Sequence, residues 1–203
     1  LADIGAGTTD VAIFIDGTVW HTVTMGIGGS YITQDIAIGL RLPPSVAEEV
    51  KVEHGHALPD QVDSDEVFSV ASFGEDHDQE VPRWKLACII QARAEEILSM
   101  INKEIKRSGD DGLLPAGVVL SGGTAELLGM RTLGRRVLGL PVRLGRPRNL
   151  HGLVDSVNNP AHAVGAGLMT WGSTEEARPQ LKVQPGPNGG GRFLKWLRAL
   201  LPG

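Results

Sequence analysis

Cysteine is nearly absent from this 203-residue sequence, which contains only Cys88. A single cysteine cannot form an internal disulfide, so the chain is not a disulfide-stabilised scaffold. Cys88 lies in a strongly apolar segment with a helical pattern, and we expect a buried core thiol there. The six histidines lack metal-ligand spacing, and no apolar run is long enough to span a bilayer. The sequence therefore offers no disulfide framework, no histidine metal site and no membrane span.

Acidic residues are missing from residues 177–203, which carry five basic side chains: Arg178, Lys182, Arg192, Lys195 and Arg198. Because the whole chain has a formal net charge of −5, the body before this tail is acidic. An acidic body argues against nucleic-acid binding, whereas a basic tail suggests an anionic partner of its own. Leu1 is not an initiator methionine and lies within a strand pattern, so we expect the C-terminal part of a longer protein.

The spacing of apolar residues predicts alternating strands and helices, and hence an α/β layer structure. Strands are predicted at residues 11–15, 18–24, 66–73, 116–120 and 141–144, with a hairpin turn at Asp16-Gly17. Helices are predicted at residues 30–40, 45–54, 84–107 and 160–171. The segment Pro43-Pro44-Ser45 is expected to stop the first helix and cap the second, in which Val46, Val50 and Val52 are expected to face inward. Residues 76–80 are expected to form a turn or loop, and Asn159 to cap the last helix.

The longest predicted helix carries a regular apolar stripe, in which residues recur at steps of one or two helical turns: Leu86, Ile90, Ile97, Ile101 and Ile105. Such a stripe is typical of core packing and not of a cofactor surface.

The first residues of the chain carry the densest group of candidate binding residues, in the order strand, glycine turn, strand. Gly5 and Gly7 permit close approaches that a Cβ would block, and Thr8 and Thr9 add hydroxyls beside the exposed N–H groups. A concave row of N–H groups binds anions, and Asp3 offers an oxygen to Mg²⁺, directly or through water. This stretch predicts a binding site for nucleotide phosphates and their metal. The alternative is a glycine-rich hairpin without a ligand.

A second glycine turn, Gly122-Gly123, follows the predicted strand at residues 116–120. It would let a flat ligand lie against the backbone, and Thr124 is predicted to open a helix whose N-terminus favours an anion. A tight turn without a ligand is the alternative. Glu48 and Lys51 are three residues apart on a predicted helix, so they share a face. They could bind a ligand together, and the alternative is a surface ion pair without a ligand.

The tail has an amphipathic helical pattern at residues 192–201, after a linker at residues 172–191 that is rich in glycine and proline. One arc is apolar and holds Phe193, Leu194, Trp196, Leu197, Leu200 and Leu201. The opposite side is basic and holds Arg192, Lys195 and Arg198. This pattern predicts a helix that lies in the plane of a membrane, each basic residue adding roughly 1 kcal/mol near an anionic leaflet. Docking on the body or on another protein is the alternative.

Residues 3–10 resemble the second phosphate loop of the actin, Hsp70 and sugar-kinase superfamily, and residues 28–40 closely resemble the bacterial cell-division actin FtsA. The resemblance extends to about residue 171 and resumes in the tail. It implies an actin-like (ribonuclease H-like) core domain at residues 1–40 and 110–171, with a smaller inserted α/β domain at 41–109. A disordered linker (172–191) and a membrane-targeting helix (192–203) would follow.

The resemblance also implies ATP and Mg²⁺ as ligands. Asp3 would place the metal and the attacking water. Phosphate contacts are implied for Gly5, Gly7, Thr8 and Thr9, with Gly28 and Gly29 passing near the phosphates. The adenosine motif would comprise Gly122, Gly123 and Thr124. Glu48 and Lys51 would hold the ribose and the adenine edge.

The implied role is that of a polymerising adaptor, at most a weak ATPase, on the cytoplasmic face of the bacterial membrane at the division site. Its implied partners are the C-terminal peptide of FtsZ, further copies of itself, other division proteins and the anionic membrane surface. Three alternatives remain: a sugar kinase or Hsp70-type ATPase, a pilus-assembly actin-like protein, and an interaction module whose phosphate loop no longer binds.

Overall fold

The computed structural model describes residues 1–71, 78–109, 114–148 and 157–173. Leu1–Gly167 form one compact unit. A second unit, Leu168–Gly203, contains only six described residues, all at the end of a helix. The predicted membrane helix and nearly all of the predicted linker lie outside the described residues. The division of the first unit into a core and an inserted domain stays a prediction.

The strands of the described residues are β1 (Ala2–Ile4), β2 (Thr9–Ile15), β3 (Thr18–Met25), β4 (Val67–Ala71), β5 (Asp78–Pro82), β6 (Val118–Ser121) and β7 (Val142–Leu144). Five of them form one sheet in the order β3-β2-β1-β6-β7. The first three strands are antiparallel, whereas β6 pairs in parallel with β1 and β7 pairs in parallel with β6. Asp16 and Gly17 have φ of 49° and 79°, values that suit a two-residue hairpin, so the predicted turn is confirmed.

β4 and β5 pair with each other in a separate antiparallel ribbon. The expectation of a turn or loop at residues 76–80 is therefore wrong for its last three residues, which belong to β5. The local sequence there is acidic and has low strand propensity, but pairing with β4 buries Phe68 and Val81 as cross-strand neighbours. Side-chain burial in the ribbon outweighs the propensity of the exposed residues.

The helices of the described residues are α1 (Gly29–Leu40), α2 (Pro44–His54), α3 (Arg83–Arg107), α4 (Met130–Leu138) and α5 (Ala163–Ser173). The predicted stripe of α3 is buried, and α3 packs against α1 and α4. Full burial of an isoleucine or leucine side chain contributes about 1.5–3 kcal/mol, so this stripe is a major source of stability. Cys88 is only half-buried, which corrects the expectation of a core thiol.

Three details of the helices differ from expectation. The predicted capping segment Pro43-Pro44-Ser45 lies at the start of α2, with Pro43 at the N-cap position, but no side chain there makes a capping hydrogen bond. Val52 is 76% exposed. It lies two residues after the buried Val50, and a residue at that spacing is on the opposite side of a helix. No α-helix starts at Thr124; a 3₁₀ turn (Gly123–Glu126) comes first, and α4 begins after Gly129, whose φ is 83°. In contrast, the predicted cap by Asn159 is confirmed, since its Oδ1 accepts a hydrogen bond from the N–H of His162.

No helix within the described residues is both long enough and apolar enough to cross a membrane.

Candidate functional site

The loop between β1 and β2 is fixed by hydrogen bonds that its carbonyl groups accept from other segments. Gly5 O accepts hydrogen bonds from the N–H of Gly29 and from Thr124 Oγ1, both at 2.9 Å. Ala6 O accepts from the N–H and from the hydroxyl of Ser30, both at 2.8 Å. The loop is thereby fixed between the start of α1 and the 3₁₀ turn after β6.

Three successive N–H groups of this loop are unused within the fold. Ala6, Gly7 and Thr8 are exposed, and their N–H groups have no acceptor among the described residues. Three successive free N–H groups on a rigid loop form the kind of concavity that binds an anion. A Cβ on Gly7 would meet no atom within 4 Å, so a ligand can approach the backbone closely.

Two other glycines are required by packing. A Cβ on Gly28 would lie 2.6 Å from Ala6 O and 2.7 Å from Gly5 O, so only glycine lets α1 begin against the loop. Gly122 has a φ of 85°, and a Cβ there would strike the backbone of Ile4. These glycines bring the two predicted turns together, whether or not they also touch a ligand.

A cleft of about 480 Å³ lies between the loop, α1, α2 and the 3₁₀ turn. Its walls include five of the predicted binding residues, which come from distant parts of the chain: Gly29, Glu48, Lys51, Gly123 and Thr124. Ala6 brings the loop to the same cleft, and Leu127 and Leu128 add an apolar wall. The cleft has the volume of a small-ligand site and combines apolar walls with a few polar groups, as such sites do.

One wall of the cleft carries a connected polar group. Lys51 Nζ lies 2.7 Å from Glu48 Oε2, and the same ammonium donates to Thr33 Oγ1 at 2.9 Å and to Gly29 O at 3.2 Å. The Thr33 hydroxyl donates to Glu48 Oε2. Burial by itself raises the pKa of Glu48, but the hydrogen bonds from Lys51 and Thr33 outweigh it and hold that pKa below its ordinary value. Glu48 is therefore a carboxylate at neutral pH.

A second acidic group lies at the end of β1. Asp3 stands opposite Asp10 in the antiparallel ladder and beside Ser121 in the parallel one. Ser121 Oγ donates to Asp3 Oδ2 at 2.8 Å, and Thr24 Oγ1 donates to Asp10 Oδ1 at 2.5 Å. Directly opposed residues share one face of a sheet, so two carboxylates lie side by side and a cation between them would be stabilised.

No group of three or more His, Cys, Asp and Glu side chains in the described part of the chain could hold a metal by itself. Two neighbouring carboxylates beside an anion-binding loop fit Mg²⁺, which keeps several waters and shares its ligands with phosphate oxygens.

Not every predicted site residue faces the cleft. Thr9 is fully buried, and its hydroxyl donates to Ile27 O at 2.7 Å, so that group is used inside the fold. Thr8 is exposed, and its Oγ1 lies 3.3 Å from Asp10 Oδ2. The binding roles predicted for these threonines and for Asp3 remain predictions.

Sequence reasoning missed Asp10 and Thr33 as site residues. Asp10 is in the predicted hairpin, but the turn at Asp16-Gly17 sets only its register with β3, where Thr24 is its partner, whereas its place opposite Asp3 depends on the loop between β1 and β2. Thr33 is a buried polar residue on the inner face of α1, four residues after Gly29. Its hydroxyl is also within hydrogen-bond distance of Gly29 O on α1, but its partners Glu48 and Lys51 lie on α2, and no local signal in the sequence records that packing.

The mixed five-stranded sheet, the glycine loop and the adjoining cleft define an actin-like fold, and comparison with solved structures agrees. MreB5 of Spiroplasma citri bound to ADP superposes with a TM-score of 0.63 and 17% identity, over 84% of this chain and 51% of that one. A PilM-PilN type IV pilus biogenesis complex gives a TM-score of 0.61 and 19% identity, over 88% and 45%. At such identities the likeness establishes the fold alone.

The family model for cell division protein FtsA matches residues 1–167. The FtsA of Pseudomonas aeruginosa is 40% identical over 177 residues, which is 87% of this chain and 42% of the relative. The FtsA of Escherichia coli K12 is 35% identical over 191 residues, which is 91% of this chain and 46% of the relative. The chain belongs to the FtsA family of cell division proteins, and it spans less than half the length of these relatives.

The predicted family and the actin-like fold are thus confirmed. Family membership leaves the sugar-kinase, Hsp70 and pilus-assembly alternatives without support.

Proposed function

We propose that this chain supplies one side of an ATP·Mg²⁺-binding cleft in a polymerising, membrane-associated cell-division adaptor. The observation that carries the proposal is the convergence of five predicted binding residues on one cleft beside a loop with free N–H groups. Segments that are distant in sequence meet there in the arrangement that a nucleotide requires: an anion-binding loop, a carboxylate and an apolar wall.

Each part of the cleft has a proposed role. The N–H groups of Ala6, Gly7 and Thr8 donate hydrogen bonds to phosphate oxygens. Asp3 and Asp10 hold the accompanying Mg²⁺ through its water ligands. Gly123 and Thr124 lie along the adenosine, and the Glu48–Lys51 pair faces the sugar. Hydrolysis is at most weak, and ATP serves chiefly to set the conformation of the adaptor.

The proposed partners follow from family membership and from the tail. The adaptor assembles with further copies of itself, binds the C-terminal peptide of FtsZ, and contacts other division proteins. The basic, apolar-faced tail at residues 192–203 attaches it to the cytoplasmic face of the membrane at the division site. The protein thereby tethers the FtsZ ring to that membrane.

Amide hydrogen exchange in the intact protein, with and without ATP·Mg²⁺, tests the cleft. We expect slower exchange at Ala6, Gly7 and Thr8 when ATP·Mg²⁺ is present, because their N–H groups become bonded to phosphate. The hairpin turn at Asp16-Gly17 is an internal control and should exchange at an unchanged rate. Unchanged exchange at the loop under saturating ATP·Mg²⁺ would favour an interaction module whose loop has lost its ligand.

A further inference from the structure

The apolar wall of the cleft is attached to a short segment that follows α2. Leu127 and Leu128, which form the wall, lie between the 3₁₀ turn and α4. Residues 55–58, here called the strap, run beside them. The N–H of Ala57 donates to Leu128 O at 2.7 Å, and His56 pairs with Leu128 in an isolated parallel bridge. The position of Leu128 in the cleft therefore depends on the strap.

The side chain of His56 fixes the conformation of the strap. Its Nδ1 accepts a hydrogen bond from the N–H of Leu58 at 3.0 Å. Leu58 is fully buried, so water cannot replace this acceptor. The imidazole also packs against the residue that follows the wall, since a Cβ on Gly129 would lie 2.8 Å from His56 Cε1. One histidine thus contacts both the backbone of the strap and the segment that carries Leu128.

This arrangement requires a neutral imidazole. A ring nitrogen accepts a hydrogen bond only while it carries no proton, so neutral His56 holds its proton on Nε2. A protonated Nδ1 would present an N–H to the N–H of Leu58 and leave a buried donor without an acceptor. The ring has little room to turn away, because it packs against Gly129. Protonation therefore separates the strap from the wall.

We propose that His56 is a positioning residue for the apolar wall, and that its protonation displaces Leu128 and weakens nucleotide binding. This inference rests on the proposed function, in which a nucleotide covers that wall. The affinity for ATP is then highest while His56 is neutral and falls as the imidazole gains a proton.

The surroundings of His56 favour the neutral form. Burial is the largest cause that lowers the pKa of His56 below its ordinary value, and the Arg83 guanidinium acts in the same direction, whereas Asp60 raises that pKa. Both charges have partners of their own, since Arg83 pairs with Glu66 and Asp60 with Arg136. His56 is therefore neutral at pH 7, and its protonation occurs at a lower pH than that of an exposed histidine.

Calorimetric titration of the intact protein with ATP·Mg²⁺, from pH of about 7.5 to about 5, tests the proposal. We expect the wild-type affinity to fall about three- to tenfold relative to His56→Asn over this range, the usual effect of one lost hydrogen bond. The Asn side chain accepts from the N–H two residues on but does not titrate, so the two proteins should bind equally at pH 7.5. His56→Ala, which has no acceptor, should bind more weakly than both at pH 7.5.

Amide hydrogen exchange without nucleotide gives a second measurement. After correction for the intrinsic pH dependence of exchange, the amides of Ala57 and Leu58 should lose protection below pH of about 6 in the wild type and keep it in His56→Asn. The amide of Ile97, in the buried stripe of α3, is the control for global unfolding and should stay protected. If His56→Asn does not fold, exchange in the wild type carries the test.

The outcomes separate this inference from the proposed function. The same pH dependence of ATP affinity in the wild type and in His56→Asn would overturn the role of His56, and so would a Leu58 amide whose protection does not change with pH. Either result leaves the nucleotide cleft in place. A protein that binds no ATP at any pH overturns the proposed function, and exchange at Leu58 still decides whether His56 holds the wall.

Discussion

Asp3 and Asp10 stand directly opposite each other on β1 and β2. Like charges in this position destabilise a sheet. The structure offsets the repulsion with hydroxyl donors on either side, Ser121 next to Asp3 and Thr24 next to Asp10. A row of hydroxyl, carboxylate, carboxylate and hydroxyl crosses the sheet, with the pair proposed to hold Mg²⁺ at its centre.

Replacement of Asp10 by Asn should have opposite effects on the free and the ligand-bound protein. Without Mg²⁺, loss of the repulsion should stabilise the fold by about 0.2–1 kcal/mol, because Asn still accepts the Thr24 hydrogen bond. With Mg²⁺, the affinity for ATP should fall by about tenfold, as for other supporting groups of a metal site. Thermal unfolding and calorimetry measure the two effects. Asp16→Asn in the hairpin turn is the matched control, and a destabilised metal-free Asp10→Asn protein would contradict the repulsion.

Gly28→Ala should damage the loop without adding or removing a polar group. The new methyl would lie 2.6 Å from Ala6 O, so the start of α1 and the loop must separate. We expect a loss of about 1–3 kcal/mol in the free energy of unfolding, as for overpacked sites, together with weaker ATP binding. Gly26→Ala is the control, since a Cβ there meets no atom within 4 Å. Equal unfolding midpoints in urea for the two variants would argue against the close approach.

The contribution of Glu48 to stability should depend on pH. Burial raises its pKa, but the hydrogen bonds from Lys51 and Thr33 lower it by more, so the net pKa of Glu48 lies below its ordinary value. A carboxyl group with a lowered folded pKa contributes stability above its unfolded pKa and loses it as pH falls through the folded value. The wild type should therefore unfold at a higher temperature than Glu48→Gln at pH 6, and this difference should shrink below the unfolded pKa of about 4.3. Glu49→Gln, which leaves the Lys51 pair intact, is the matched control, and a wild-type advantage over Glu48→Gln that persists at pH of about 3 would contradict this role of Glu48.

The tail should bind membranes through both of its faces. Residues 178–203 fused to an inert soluble protein should sediment with anionic vesicles and much less with neutral ones, because apolar burial and charge attraction act together. Trp196→Glu should abolish sedimentation by placing a charge on the apolar face. A fusion that sediments equally with both kinds of vesicle would contradict the role of the basic residues. One that sediments with neither would indicate that the tail docks on protein.

Sequence patterns within a short segment predicted the elements that depend on neighbouring residues. The turn residues Asp16-Gly17 predicted the hairpin, and the helical spacing of apolar residues predicted α3; both elements are present. The strand β5 and the 3₁₀ turn at Gly123–Glu126 were predicted incorrectly, because partners outside each segment determine them. Phe68 stabilises β5 from the neighbouring strand β4, and the sequence of β5 itself does not show that pairing.

The candidate site follows the same division. Gly28, Gly29 and Glu48 could be selected because the sequence around them resembles a family. The use of Thr33 and Asp10 depends on how α1 meets α2 and on the register of β1 with β2. Periodicity indicates which face of an element is buried, but it does not give the rotation of one element against another.

The parallel pairing of β1 with β6 joins residues that are 118 positions apart, Asp3 and Ser121. During synthesis at about 5–20 residues per second, β1 waits on the order of ten seconds for this neighbour. For that time one edge of the central strand lacks its partner, and the loop lacks the anchor that Thr124 provides. Such long-range closure slows folding and leaves an open strand edge available to other chains. The parallel pairing of β1 with β6 thus leaves an unpaired strand edge on the newly made chain until its last strands emerge.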